Sequence, residues 1–300
     1  MVEFPDSREF NTEDKSFKPP FKKENITPPG VEEFMQQKPK IIHEDYKGSD
    51  KLKGKTALIT GGDSGIGRAV CIHFAIEGAD IVFTHLPEEK EDAEYVCQII
   101  KNFGRKAIAI AADFQNEDDF EKVKTQFNEN FKSLDILVNN AAFQNHVKGL
   151  NALSIVQFEK TFQINIFAYF KMVKFMEEFM PKGSNIINTS SILGFVGDKN
   201  LIDYSATKAA IHNLTKSLSK ALAKRKIRVN AVAPGPVWTP LNPAERNYEE
   251  VKEFGENTAF NRPAQPAEIA PAYVYLASDI TASYITGETI NIYGSASGAN

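Results

Sequence analysis

From Lys51 onward, short apolar runs alternate with longer stretches in which apolar residues recur every three or four positions. The short runs Thr56–Ile59, Ile81–Phe83, Ala107–Ile110, Ile136–Val138, Asn185–Asn188, Arg228–Val232 and Glu288–Ile292 read as strands. Between them, Ile66–Glu77, Glu89–Asn102, Glu117–Phe131, Ile155–Phe179 and Tyr204–Lys224 read as helices. Strands buried on both faces are continuous apolar runs, and their alternation with helices implies a parallel sheet joined by right-handed crossovers. The expected fold is therefore α/β, a single doubly wound parallel sheet of the Rossmann type, whose ligands bind beyond the carboxyl ends of the strands.

Residues 1–50 break this rhythm. They hold 6 of the 15 prolines and no apolar run of clear period. Phe4, Phe10, Phe17, Phe21 and Phe34 are nevertheless spaced along the segment, and a purely solvating tail would be poor in aromatics. The division expected is an N-terminal extended arm without a core of its own, residues 1–50, and a Rossmann-fold domain, residues 51–300. The arm is expected to be pinned to a folded surface by its phenylalanines, the alternative being a disordered leader. All candidate site residues lie beyond Lys51, so removal of the arm is expected to leave the cofactor site formed.

Composition narrows the class. The net charge is −4 with no lysine/arginine block, so there is no electrostatic footprint for nucleic acid or an anionic membrane, and a small molecule is the expected partner. Cys71 and Cys97 have no partner at redox or metal-ligand spacing and read as buried thiols of a reducing compartment. The N-terminus lacks the order of a secretory signal and no long apolar span occurs, which points to a cytoplasmic protein. His43, His73, His85, His146 and His212 show no ligand spacing, and no metal site is expected.

Two motifs carry chemistry. The first is Thr60-Gly61-Gly62-Asp63-Ser64-Gly65-Ile66-Gly67, which follows the first strand and opens a helix. Gly61 allows the tight turn, Gly65 lets the backbone approach a pyrophosphate, and Gly67 permits close packing of helix on strand; the helix N-terminus offers free N–H groups to phosphates. The second is Tyr204-Ser205-Ala206-Thr207-Lys208, thirteen residues after Ser191. Tyr204 and Lys208 are i and i+4 on one helical face.

In these motifs the chain resembles the short-chain dehydrogenase/reductase family, whose loop is Thr-Gly-x-x-x-Gly-x-Gly. The resemblance extends through Asn139-Asn140-Ala141-Ala142, where Ala142 replaces the usual glycine, through Asp113, and through Pro234-Gly235-Pro236-Val237-Trp238-Thr239, over about residues 52–294. The long arm and the Gly62-Asp63-Ser64 loop further resemble a bacterial general-stress or glucose-dehydrogenase-like subgroup. The resemblance implies an oxidoreductase acting on CH–OH groups, with Tyr204 exchanging a proton with the substrate oxygen while a hydride passes to or from a nicotinamide. It implies that Lys208 lowers the Tyr204 pKa and bonds the ribose, that Ser191 rather than Ser190 holds the substrate oxygen, and that Asn165 holds a water joined to the lysine. The cofactor contacts it implies are Gly61, Asp63, Ser64, Gly65, Ile66, Gly67, His85, Asp113, Phe114, Asn140, Ala141, Ala142, Tyr204, Lys208, Pro234, Gly235, Val237 and Thr239.

The end of the second strand is Thr84-His85-Leu86, with neither an acidic residue for the ribose hydroxyls nor a basic one for a 2′-phosphate. NAD or NADP is expected, with a lean to NAD because Asp63 would repel a 2′-phosphate. The segment 237–262, with Trp238, Leu241, Tyr248, Phe254 and Phe260, suggests an apolar lid over the substrate. Phe158, Phe162, Phe167, Phe170, Leu214 and Leu218 put apolar residues on more than one helical face, which points to a homo-oligomer, dimer or tetramer. The rival of another class is a nucleotide-sensing regulator that binds without catalysis, which would be expected to lose the tyrosine or lysine.

Overall fold

The computed structural model describes residues 17–295. Seven strands form one parallel sheet: β1 (Thr56–Ile59), β2 (Asp80–His85), β3 (Ala107–Ala111), β4 (Ile136–Asn139), β5 (Asn185–Thr189), β6 (Arg228–Pro234) and β7 (Thr289–Ile292). Their spatial order is β3-β2-β1-β4-β5-β6-β7. The chain reverses direction across the sheet between β1 and β4, so the crevice for a ligand opens above these two strands.

Helices cover both faces. They are α1 (Gly65–Ile76), α2 (Lys90–Asn102), α3 (Asp118–Asn130), α4 (Ile155–Phe162), α5 (Ala168–Met176), α6 (Leu193–Val196), α7 (Ile202–Leu222), α8 (Leu241–Glu245), α9 (Tyr248–Lys252), α10 (Pro266–Ala277) and α11 (Asp279–Ala282). One face of the sheet buries Ile59, Ile81 and Phe83 against Val70 and Phe74 of α1 and Tyr273 of α10. The other buries Leu58, Val82 and Ile186 against Phe120 and Phe127 of α3 and Met172 and Met176 of α5. This two-sided burial explains why the strands read as unbroken apolar runs.

Three features differ from the expectation. The helix expected over 155–179 is interrupted by one wide turn, Gln163–Phe167, in which Asn165 is buried. Helix α10 carries Pro266 at its start and Pro271 inside, and these two breakers hid a well-buried helix. Cys71 is buried, but Cys97 is only half-buried.

The arm segment 17–50 lies along the domain. Phe17 and Phe21 are buried, and Phe21 stacks on Trp238 with ring centres 4.2 Å apart. The Trp238 indole donates to the Gln37 carbonyl at 2.7 Å, and the Phe21 N–H donates to Lys252 at 3.0 Å. Ile26 and Met35 complete this small core with Val251 and Phe254. Phe34 is no anchor: it is 66% exposed, because the short turn Glu32–Phe34 turns Glu32 inward instead. Phe4 and Phe10 lie outside the described residues. Among the described residues no helix is long and apolar enough to cross a membrane.

Candidate active site

One cavity of about 1070 Å³ runs above the carboxyl ends of the strands. The glycine loop forms its floor. Gly65 has φ +49°, a left-handed conformation that a side chain would strain. Gly67 does not line the cavity; a Cβ there would lie 1.8 Å from the Gly61 carbonyl oxygen, so its absence lets α1 close on β1. Asn140, just past β4, donates from its amide to the carbonyls of Thr60 and Gly61 at 3.1 and 3.0 Å and thereby holds the loop's entrance. This floor and the crevice above it fit an extended dinucleotide.

At the other end, β5 and α7 bring the chemical groups together. The Ser191 side chain neighbours the Tyr204 phenol and favours its ionised form, and its hydroxyl accepts from the Leu193 N–H at 3.2 Å. Ser190 is turned away, donating to the Lys208 carbonyl at 2.9 Å and contacting His212 Nε2 at 3.1 Å. Lys208 Nζ donates to the Thr189 carbonyl at 2.9 Å and lies 5.2 Å from the centre of the Tyr204 ring. Burial dominates both titrations. It pushes the Tyr204 phenol above its ordinary value although neighbouring Ser191 works the other way, with the nearby Glu245 carboxylate adding to the rise. It pushes Lys208 down to about 7. The expected lowering of Tyr204 is therefore absent from the protein groups alone, since the ammonium is itself desolvated and committed to Thr189.

Ser191, Tyr204 and Lys208 line the cavity together with Gly61, Asp63, Ser64, Gly65, Ile66, His85, Asp113, Phe114, Asn140, Ala141, Ala142, Pro234, Gly235, Val237 and Thr239. Asn165 does not. Its amide is spent on the Phe143 backbone, accepting at 2.7 Å and donating at 2.9 Å, and on the Thr207 hydroxyl at 3.1 Å. It ties the wide turn to α7 and to the segment after β4.

At the end of β2, the His85 ring contacts the Leu86 carbonyl at 2.7 Å and the Leu86 N–H donates to Glu89 at 2.8 Å. Burial pushes the Asp63 carboxyl up to about 7, with Arg68 opposing, and Glu89 up to about 8, with Asp63 adding to the rise. Asp63 therefore carries only part of the negative charge that the sequence suggested. The cations lining the cavity, Lys160, Lys208 and Arg246, do not belong to this corner.

The substrate end was misread. Trp238, Tyr248 and Phe260 do not line the cavity, and Trp238 faces the arm; Leu241 and Phe254 do line it. Beside these apolar residues the wall carries a polar cluster. Glu245 accepts from Gln144 Nε2, from the His146 N–H at 2.8 Å, and contacts His146 Nδ1 at 2.8 Å. Arg246 lies over Phe254, 5.1 Å from its ring centre, and its buried Nε makes no hydrogen bond. Helix spacing gives no sign of this cluster, because Gln144 and His146 meet Glu245 across about a hundred residues. The docked arm also contributes to the site, since Pro28, Pro29 and Gly30 line the cavity, which nothing in the arm's sequence signals.

Comparison with known proteins agrees with this geometry. A family model described as enoyl-(acyl carrier protein) reductase matches residues 61–294. General stress protein 39 of Bacillus subtilis is 46% identical over 266 residues, 89% of this chain and 92% of its own length. The glucose and ribitol dehydrogenase of Daucus carota is 45% identical over 283 residues, 93% of this chain and 96% of its own. Among solved structures, a short-chain dehydrogenase from Burkholderia cenocepacia in complex with NADP superposes with a TM-score of 0.76 at 31% identity, covering 82% of this chain and 99% of that one. The chain is an oxidoreductase and belongs to the short-chain dehydrogenase/reductase family.

Proposed function

We propose that the chain interconverts an alcohol and a ketone or aldehyde with an NAD(P) cofactor, Tyr204 acting as general acid/base. The observation that carries this reading is the placing of Ser191, Tyr204 and Lys208 together in a cavity that the glycine loop also lines. A bound nicotinamide would supply the hydride acceptor or donor and, when oxidised, a positive charge. Tyr204 would then hold the proton that the substrate oxygen gains or loses, and Ser191 would donate to that oxygen as charge develops on it. Lys208, one helical turn from Tyr204, would favour the phenolate whenever its amine is protonated. Asn165 is a positioning residue, fixing the Phe143 backbone that borders the cavity.

For the cofactor we propose NAD ahead of NADP. The acidic side chains Asp63, Glu88 and Glu89 line the cavity near the end of β2, burial leaves Asp63 and Glu89 only partly charged, and the nearby Arg68, already paired with Glu32 and Asp92, is not free to hold a 2′-phosphate. The substrate proposed is a small, neutral, polyhydroxylated carbonyl compound or its alcohol. Glu245, Gln144, His146 and Arg246 offer it hydroxyl-binding groups, and Asp198, Glu250 and Glu253 on the same wall disfavour an anion. The name of the carrot relative, glucose and ribitol dehydrogenase, accords with that class. We further propose a cytoplasmic homo-oligomer. The test is a panel of polyols, sugars and simple alcohols with NAD and NADP, following the reduced nicotinamide. Turnover of polyols above simple alcohols is expected; no turnover of any alcohol or carbonyl with either cofactor would contradict the reading.

A further inference from the structure

We propose that Glu32 of the arm is a positioning residue of the dinucleotide site, so that docking of the arm and occupancy of the glycine loop are one coupled event. The proposal rests on the reading that this loop receives a dinucleotide. Glu32 is 1% exposed although it belongs to a segment with no core of its own. Its carboxylate accepts from the Gly65 N–H at 2.8 Å and pairs with the Arg68 guanidinium. Its own N–H donates to the Asp92 carboxylate at 2.7 Å. Arg68 in turn donates from Nε to the Asp63 carbonyl at 2.6 Å and from its other terminal nitrogen to Asp92 at 2.8 Å.

Two points of the glycine loop, the Asp63 carbonyl and the Gly65 N–H, are thus fixed by a buried charge cluster whose keystone comes from the arm. The Gly65 N–H is one of the donors that a helix start leaves without an intrahelical partner. A carboxylate there suits the positive end of α1 but lies beside the place where phosphates would sit, and Arg68, shared with Asp92, offsets only part of its charge. Burial raises the Glu32 pKa and Arg68 opposes the rise, which makes the cluster costly to form without its full geometry. Such an arrangement specifies one conformation more than it adds stability. Just before it, Gly30 with φ +97° passes so close to Pro240 that a Cβ would lie 3.0 Å from its carbonyl oxygen. The arm therefore touches the glycine loop and the substrate wall within three residues.

Coupling of this kind is reciprocal: whatever binds the loop must also hold the arm down. The direct test is hydrogen exchange on the full chain with and without saturating NAD or NADP. Slower exchange in residues 28–37 together with residues 61–67 is expected; protection of 61–67 with 28–37 unchanged would overturn the proposal. Failure of both dinucleotides to bind would instead overturn the functional reading beneath it, and the proposal with it. In calorimetry, Glu32→Gln, which keeps an acceptor for Gly65 but loses the charge facing Arg68, should weaken dinucleotide binding about tenfold, within the usual range of site coupling. Phe34→Ala, at an exposed neighbour, should not. An unchanged Kd for Glu32→Gln would also overturn the proposal.

Discussion

Lys208 spends a hydrogen bond of its ammonium on the carbonyl of Thr189, 2.9 Å away at the end of β5, and is itself 1% exposed. Its charge is thereby held where the strand ends and one helical turn from Tyr204. The cost is desolvation, which lowers its pKa to about 7.

That cost has a sign in stability. An unfolded lysine titrates near about 10.4. Between pH 7 and that value the unfolded chain holds a proton that the folded chain lacks, so this group makes stability rise with pH across the window and penalises the fold fully below it. Lys208→Met, which cannot titrate, should gain most against the parent at pH 6.5 and progressively less toward pH 9.5. Denaturant midpoints across that range check it, and a constant difference would mean that Lys208 titrates ordinarily.

For the cofactor, Leu86→Arg would place a guanidinium at the end of β2, where the parent has none lining the cavity. A bidentate phosphate contact should move the NADP/NAD affinity ratio toward NADP by about tenfold or more, equivalent to about 1.4 kcal/mol. Titration of both dinucleotides against both proteins reads the ratio. An unchanged ratio would put the discriminating residues elsewhere, with Asp63 and Glu89 the next to examine.

Much of this was legible beforehand because it depends on local order. The strands announced themselves as continuous apolar runs, and Tyr204 and Lys208 share a face by helical spacing alone. Ser191 was separable from Ser190, which has the same chemistry, only through its thirteen-residue spacing to Tyr204 in the resembled family; in the structure Ser190 donates to the Lys208 carbonyl and Ser191 neighbours Tyr204. Glu32 and Glu245 were not legible at all. Each is an ordinary acidic residue in sequence, and its role comes from partners 33 and 99 residues away. The five phenylalanines drew attention to the arm for a partly mistaken reason, since Phe34 faces solvent while Glu32 two residues earlier is inside.

Assembly is a further expectation. Phe167 and Phe170 are 50% and 47% exposed, two large rings on adjacent turns that the single chain leaves half uncovered. Exposed apolar patches of this kind mark interfaces. Light scattering at micromolar concentration should give a dimer or tetramer, and Phe167→Asp with Phe170→Asp should lower the mass. A monomeric parent would remove the idea.

The central claim is that Tyr204 moves the proton, and Tyr204→Phe tests it most directly because the ring, its burial and the Lys208 contact with Thr189 all remain. Measured side by side, turnover of the best substrate should fall by about 10² to 10⁴, the usual contribution of a general acid/base, while the Kd for the dinucleotide stays within about twofold. Turnover within tenfold of the parent would contradict the assignment.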